Sequence, residues 1–483
     1  MKNQTTIFIP KSKDAINNFN KKVFFKHPAV NKYFFLTVDK KRKNKNTIVI
    51  DSFFSLNALK EISKQCKTKY LLLIKSEGKI SFEKNAPERL IKTAEKSNSG
   101  IIYSNYFEKE KSKTKIHPVN EYQFGSVRDD FDFGPLLLFN NNILEKHLKE
   151  IKSRVHWNGL YATQLSFSRK NMITKLNKYL YSFEESKTTA ESKKHFEYLE
   201  KENEAKQKEA EKTFIYHLKK IDAYLPQRQN KINIPNQKNK IEATIIIPVK
   251  NREKTIEEAL RSALNQKFNK TYNIIVVNNY STDKTKKIIE KLAAEDDRII
   301  HIIPRRKDLG IGGCWNEAVK HKNCGRFSIQ LDSDDIYKNG KTLQKIVDRF
   351  YKEKCGMVIG SYQLTDFNLN EIPPGVIAHR EWTKNNGHNN ALRVNGFGAP
   401  RAFLTKLLKA TPFPNVSYGE DYAVCLAISR KYKVGRIYEP LYICRRWKGN
   451  TDSDISIMKK NQYDYYKDKL RTVEIRKRIK LKK

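Results

Sequence analysis

From residue 241 onward, short β-rich apolar runs alternate with amphipathic helical patterns. Thr244–Val249 (TIIIPV) is the length of a buried strand, and 253–266 (EKTIEEALRSALNQ) carries apolar residues at 256, 260, 263 and 264, one buried helix face. Further strands are expected at 272–279, 298–304 and 326–332, with helices after Ser281 and over 314–321. Such alternation predicts an α/β fold with a mostly parallel sheet, covered by helices, that binds ligands at the carboxyl ends of its strands.

The first 180 or so residues echo this pattern in the same order. TIFIP (6–10) matches TIIIP (244–248), YLLLIKSEG (70–78) matches FSIQLDSDD (327–335), and FGPLLLFNNNIL (133–144) matches FGAPRAFLTKLL (397–408). The longest echo sets NGLYATQLSFSRK (158–170) against GEDYAVCLAISRK (419–431). Four echoes in one order point to a duplicated fold. Between the copies, Ser186–Tyr224 lacks Gly and Pro and reads as a polar helix, and 226–240 has little to bury and reads as a linker. The expected organisation is residues 1–183 as one domain, 184–240 as helix and linker, 241–453 as a second domain, and 454–483 as a basic tail.

The chain has 483 residues and a formal charge of +42, with lysine spread throughout. A solvated surface and an anionic partner both accommodate that charge, but the lack of one basic stripe with interleaved aromatics disfavours nucleic acid. Residues 461–483 carry nine Lys or Arg against three acids, with apolar residues between them; they could lie as a helix on an anionic membrane face or equally form a frayed, solvated tail. No apolar run approaches the roughly 20 residues that span a bilayer. The six cysteines are scattered without metal-finger spacing, which suits free thiols in a reducing compartment. The expectation is a cytoplasmic protein, peripheral at the membrane if the tail engages it.

Two acidic motifs carry candidate chemistry. DSDD (332–335) follows an apolar strand, and carboxylates there suit Mg²⁺ or Mn²⁺, although a solvated acidic turn would look alike. GED (419–421) opens a helical pattern, so its carboxylates could cap the helix or serve as a general base. The Gly-, Asn- and His-rich stretch 372–401 reads as a long loop suited to an acceptor lid. It offers Trp382 for stacking on a sugar, although a tryptophan in such a loop more often packs locally, and His379 and His388 are more readily plain loop residues than metal ligands.

TIIIPVKNRE, IIVVNNYSTDKT, DSDD and GEDY, in this order, resemble the family-2 glycosyltransferases of GT-A fold across about residues 242–447. The resemblance implies two GT-A-like domains, the second an inverting transferase. It would move a sugar from a nucleotide-sugar donor, UDP favoured, to a hydroxyl of a glycan or lipid-linked acceptor. By position it implies Pro248, Val249, Asn251, Asn278, Asn316 and Asp332 at the nucleotide. Asp334 with Asp332 would hold Mn²⁺ or Mg²⁺, and Asp421, with Glu420 beside it, would act as the base. Arg446 and Trp447 would sit near phosphates and acceptor, with Trp382 also toward the acceptor. Asn278 and Asn279 stand where the family usually has two aspartates. In the first copy Lys75, Glu77 and Leu160 stand at the positions of Asp332, Asp334 and Asp421, which marks a pseudo-transferase. Rival readings are a non-catalytic glycan- or polyanion-binding protein and a bifunctional transferase. A sugar nucleotidyltransferase is disfavoured, because no glycine-rich, lysine-bearing signature follows the first strand.

Overall fold

The computed structural model describes residues 3–11, 27–42, 44–110, 113–152, 155–185, 204–226, 230, 232–234, 240–380, 382–383, 385–450 and 455–482. The chain divides into two compact units, one of residues 1–224 and 456–483 and one of residues 225–455.

The first unit holds strands β1 (Thr5–Pro10), β2 (Val30–Thr37), β3 (Thr47–Val49), β4 (Tyr70–Ile74), β5 (Gly78–Phe82), β6 (Ile101–Glu110), β7 (Lys113–His117), β8 (Leu136–Asn140) and β9 (Ile173–Glu185). Its helices are α1 (Leu56–Gln65), α2 (Ala86–Ser97), α3 (Asn141–Glu150), α4 (Gly159–Ser168) and α5 (Glu204–Lys220). The second unit holds strands β10 (Ala243–Val249), β11 (Tyr272–Asn278), β12 (Ile299–Ile302), β13 (Phe327–Gln330), β14 (Ile336–Tyr337), β15 (Met357–Thr365), β16 (Glu371–Ile377), β17 (Arg401–Leu404) and β18 (Val434–Arg445). Its helices are α6 (Ile256–Leu264), α7 (Thr285–Glu295), α8 (Ile311–Lys320), α9 (Thr342–Glu353), α10 (Gly387–Asn390), α11 (Thr405–Ala410) and α12 (Glu420–Lys431). A last helix, α13 (Ile457–Lys480), belongs to the first unit.

The two sheets have the same strand order. It is β3-β2-β1-β4-β8-β6-β9-β5 with β7 on β6 in the first unit, and β12-β11-β10-β13-β17-β15-β18-β14 with β16 on β15 in the second. In both, the first four strands run parallel and the fifth is antiparallel to both neighbours. The duplication seen in four sequence echoes therefore extends to every strand.

The apolar runs became central strands because both faces of each sheet are covered: Ile245, Ile246 and Ile247 are fully buried. Helix α6 buries Ile256, Ala259, Leu260 and Ala263, a spacing that keeps one stripe against the sheet. Within 372–401, expected to be one long loop, the chain forms β16 and the short α10.

The basic tail is the main departure from expectation. Helix α13 buries Asp464, Lys467, Asp468, Arg471, Glu474 and Arg478 on one face, while Lys469, Arg476, Lys477, Lys480 and Lys482 stay exposed. Arg128 lies 3.6 Å from Asp464 and 3.5 Å from Asp468, and Arg471 pairs with Asp468 at 2.8 Å. Ser126 Oγ donates to Asp468 at 2.8 Å, and the Gly125 N–H donates to Thr472 Oγ1 at 2.8 Å. A Cβ on Gly125 would come within 2.2 Å of the Thr472 nitrogen, so only glycine permits this approach. The buried charges compensate one another, which is the condition for burying them at all.

The polar connector also differs. Its described part, α5, buries Ala210, Phe214 and Leu218 within the first unit, and residues 186–203 lie outside the described residues. The expected linker begins the second unit, where Ile232 is buried and its N–H donates to the Lys354 carbonyl at 2.9 Å.

Candidate active site

The carboxyl ends of β10, β11 and β13 bring together loops that the sequence keeps far apart. Asn251, at φ 53°, accepts from the Thr282 N–H at 2.8 Å, and its own N–H donates to Ser281 Oγ at 3.0 Å. The buried Asn278 accepts from the Ser281 N–H at 3.0 Å, and its amide nitrogen lies 3.3 Å from His301 Nε2. Pro248 and Val249 end β10 beside this turn, Pro248 half-buried and Val249 buried. Four of the residues expected at the nucleotide therefore share one rim.

Asp332 and Asp334 follow β13 on the same edge. Both oxygens of Asp332 accept from Gln330 Nε2, at 2.9 and 2.8 Å, and its N–H donates to the buried Tyr442 hydroxyl at 2.8 Å. Burial raises the Asp332 carboxyl above its ordinary range, against the pull of Arg401. Asp334 Oδ2 lies 3.5 Å from Arg252 Nε and accepts from Asn450 Nδ2 at 3.2 Å. Asp335 turns inward, accepts the Arg445 N–H at 2.9 Å, and is held well above the carboxylate range by burial. Arg445, fully buried, also donates from Nε to the Asp334 carbonyl at 2.6 Å and pairs with Glu258. It braces the acidic turn, a role the sequence reading did not assign.

Asp421 sits in the first turn of α12 and pairs with Arg401 Nη1 at 2.8 Å. Arg401 opens β17, the antiparallel neighbour of β13, and its N–H donates to Gln330 Oε1 at 3.1 Å. Gln330 thus ties the strand bearing Arg401 to Asp332. Burial works against the charge of Arg401, but the carboxylates of Asp421 and Asp332 outweigh it and hold the guanidinium charged. Glu420 is buried with Oε2 unpartnered among the described residues; burial, and next the Asp421 charge, push it up to about 8. Burial thus favours the protonated form of Glu420 at neutral pH, beside the Asp421 carboxylate that Arg401 pairs.

Arg401 escaped the sequence reading, though a signal existed. The pairing of β4 with β1 and β8, set against that of β13 with β10 and β17, puts Lys75 where Asp332 stands and Leu137 where Arg401 stands. Leu160 holds the second place in α4, as Asp421 does in α12. Both members of the ion pair are therefore leucine in the first unit. There the carboxylate of Glu209 accepts the N–H groups of His156, Trp157 and Asn158 at 2.8–2.9 Å, ahead of α4. The framework is otherwise shared: Tyr161 donates to the Val127 carbonyl and Tyr422 to the Ala391 carbonyl, each at 2.6 Å.

The side chains of Asn316, Trp382 and His388 are engaged in local structure. The amide of Asn316 both donates to the Phe413 carbonyl at 2.8 Å and accepts the Phe413 N–H at 3.0 Å. It pins the segment leading to α12, where Gly312 passes so close that a Cβ would meet the Pro414 carbonyl at 2.0 Å. Trp382 is 5% exposed and packs on Phe397 at 5.1 Å between ring centroids, so its face is not open to a sugar. His388 is buried and donates to the Leu225 carbonyl at 2.9 Å. The Arg446 N–H donates to the Thr365 carbonyl at 2.8 Å, and Trp447 lies against Phe367, 5.2 Å between centroids. Among the described residues no group of three or more His, Cys, Asp or Glu is placed to hold a metal ion. Asp334 alone still suits a hard cation, because Mg²⁺ and its like are commonly held by one or two carboxylates plus substrate phosphates.

Residues 244–408 match the family model described as Glycosyl transferase family 2. The chain is 30% identical over 230 residues to the Escherichia coli UDP-Glc:alpha-D-GlcNAc-diphosphoundecaprenol beta-1,3-glucosyltransferase WfgD, covering 47% of this chain and 85% of that protein. It is 25% identical over 189 residues to the putative teichuronic acid biosynthesis glycosyltransferase TuaG of Bacillus subtilis, covering 39% and 72% respectively. Among solved structures, S. aureus TarS 1–349 in complex with UDP-GlcNAc is similar at 22% identity, covering 48% of this chain and 66% of that one, with a TM-score of 0.39. The matched family region holds the whole Asp332–Arg401 rim of the second unit, and the chain belongs to glycosyl transferase family 2.

Proposed function

We propose that the second unit transfers a sugar, with inversion, from a nucleotide-sugar donor to a hydroxyl of a glycan or lipid-linked acceptor in polysaccharide synthesis. A UDP-sugar is the favoured donor. The observation that carries the reading is the Arg401–Asp421 pair beside Asp332, with Leu137 and Leu160 at the matching positions of the first unit.

The acceptor hydroxyl attacks the anomeric carbon while Asp421 takes its proton, and the bond from that carbon to the diphosphate oxygen breaks as the nucleoside diphosphate leaves. Arg401 holds the carboxylate of Asp421 toward the reacting centre. Protonated Glu420 adds no second negative charge beside it. The rim of Pro248, Val249, Asn251 and Asn278 receives the nucleoside, and Asp332 contacts the nucleotide. Asp334, with Asp332 near it, would hold Mn²⁺ or Mg²⁺. Such an ion, when bound, supplies counter-charge to the leaving diphosphate. Arg446 and Trp447 remain candidates for phosphate or acceptor contact. The first unit acts as a pseudo-transferase that braces the fold or holds acceptor.

The test is a panel of nucleotide sugars offered to the full chain with Mn²⁺ or Mg²⁺ and a lipid-linked acceptor, reading nucleoside diphosphate release and product anomer. A retained anomeric configuration, or turnover that survives Asp421→Asn unchanged, refutes the proposal.

A further inference from the structure

The second unit has a basic cavity at the opposite edge of its sheet from Asp332. It encloses about 450 Å³ where β10 and β13 begin and β17 ends, within the size range of small-molecule sites. The four residues of β13 alone put about 13 Å between it and the acidic turn. Lys240, Lys322, Arg326, Lys406 and Lys409 line it, and none of the lining residues is acidic. Five basic residues among thirteen is about twice their frequency in the chain, 95 of 483, so general lysine enrichment does not account for the cluster.

The cations differ in their partners. Arg326 has a counter-ion in Glu242, 3.6 Å away, and Glu242 is held in turn by the Tyr351 hydroxyl. Lys240, Lys322, Lys406 and Lys409 form no ion pair among the described residues. Four exposed lysines thus line one concavity without an ion-pair partner among the described residues. Ile241 and Leu404 add apolar wall between them. An ammonium group recognises phosphate as a compact point charge, and several around one cavity suit a ligand of charge −2 or more.

We propose that this cavity is a second, metal-independent binding site for a phosphate-bearing ligand, separate from the donor site. The phosphate belongs either to a soluble phosphorylated sugar or to the headgroup of an anionic lipid. The site gives part of the chain's large positive charge a defined ligand.

The experiment uses the full chain in chelator-containing buffer, which keeps cation-dependent donor binding out of the measurement. Calorimetric titration with glucose 1-phosphate and with inorganic pyrophosphate forms one arm. Co-sedimentation with vesicles of phosphatidylcholine, with and without phosphatidylglycerol, forms the other. The triple variant Lys322→Glu, Lys406→Glu, Lys409→Glu is set against a charge-matched control, Lys267→Glu, Lys287→Glu, Lys291→Glu, also on exposed lysines of this unit. A milder triple variant to Gln, with an unchanged melting curve, covers the case in which three glutamates disturb folding. The expected result is at least a tenfold affinity loss in the cavity variants and under threefold in the control. Loss in the first arm assigns a soluble ligand, and loss in the second a lipid headgroup. Equal losses in cavity and control variants, or no binding by the unaltered chain in either arm at millimolar ligand, overturn the proposal.

Discussion

Replacing Arg401 with methionine isolates the ion pair on which the proposed chemistry turns. Methionine keeps the length of the apolar stem and removes the guanidinium that lies 2.8 Å from Asp421 Oδ2. A hydrogen bond between charged partners contributes about 1.5–3 kcal/mol net. The side chains of Arg401 and Asp421 are 18% and 25% exposed, so solvent screening favours the lower half of that range. At about 1.4 kcal/mol per tenfold, kcat should fall roughly 10- to 40-fold if the orientation of Asp421 is expressed in the transition state. The donor KM should change less than threefold, because Arg401 serves the base and not ground-state binding. Arg401→Lys keeps a charge without the planar fork and should recover part of the loss. Asp421→Asn should cost roughly 10²–10⁴-fold, the span of general-base contributions. The decisive comparison is the double variant: once the base is gone, removing Arg401 should cost little more, as with residues that act as a unit. The assay is nucleoside diphosphate release at saturating donor and acceptor. If the two losses multiply, Arg401 acts independently of Asp421 and the reasoning fails.

Asp334→Ala should abolish the stimulation of turnover by Mn²⁺ or Mg²⁺ and weaken nucleoside diphosphate binding, checked by cation titration of the rate. Glu420, ordinarily near 4.5 and held at about 8 here, keeps its proton in the folded chain where the unfolded chain has lost it. Its contribution to stability is therefore complete below pH 4.5 and is lost as pH rises toward 8; Glu420→Gln should flatten the melting temperature across that window. Arg128→Ala leaves Asp464 and Asp468 buried with less counter-charge, at a cost of about 3 kcal/mol. Thermal unfolding of the first unit should show that loss, while donor hydrolysis by the second unit persists. A chain of residues 225–455, once shown to fold, should retain donor hydrolysis, whereas donor cleavage by residues 1–224 alone would make the protein bifunctional.

The local code was legible in the sequence. Strand and helix periodicity depends on neighbours within about ten residues, and the runs at 244–249, 253–266 and 272–279 became the expected elements. The echoes also set Lys75 and Leu160 against Asp332 and Asp421, so the proposal that the first unit is a pseudo-transferase is already open to the sequence. The echo of 133–144 in 397–408 sets Arg401 against Leu137, but only the strand pairing beside Gln330 and the α12 terminus names its partner Asp421. Trp382 packs on Phe397, and Asn316 makes two hydrogen bonds to the Phe413 backbone, partners that no local pattern in the sequence names. The tail reads identically in sequence whether its charges face water or one another, because a helix's pattern does not name its partner. Only the fold, by placing Arg128 within reach of Asp464 and Asp468, decided that one charged face of α13 is buried. Short-range propensity belongs to the sequence, but which charges are desolvated and who compensates them is a property of residues hundreds of positions apart.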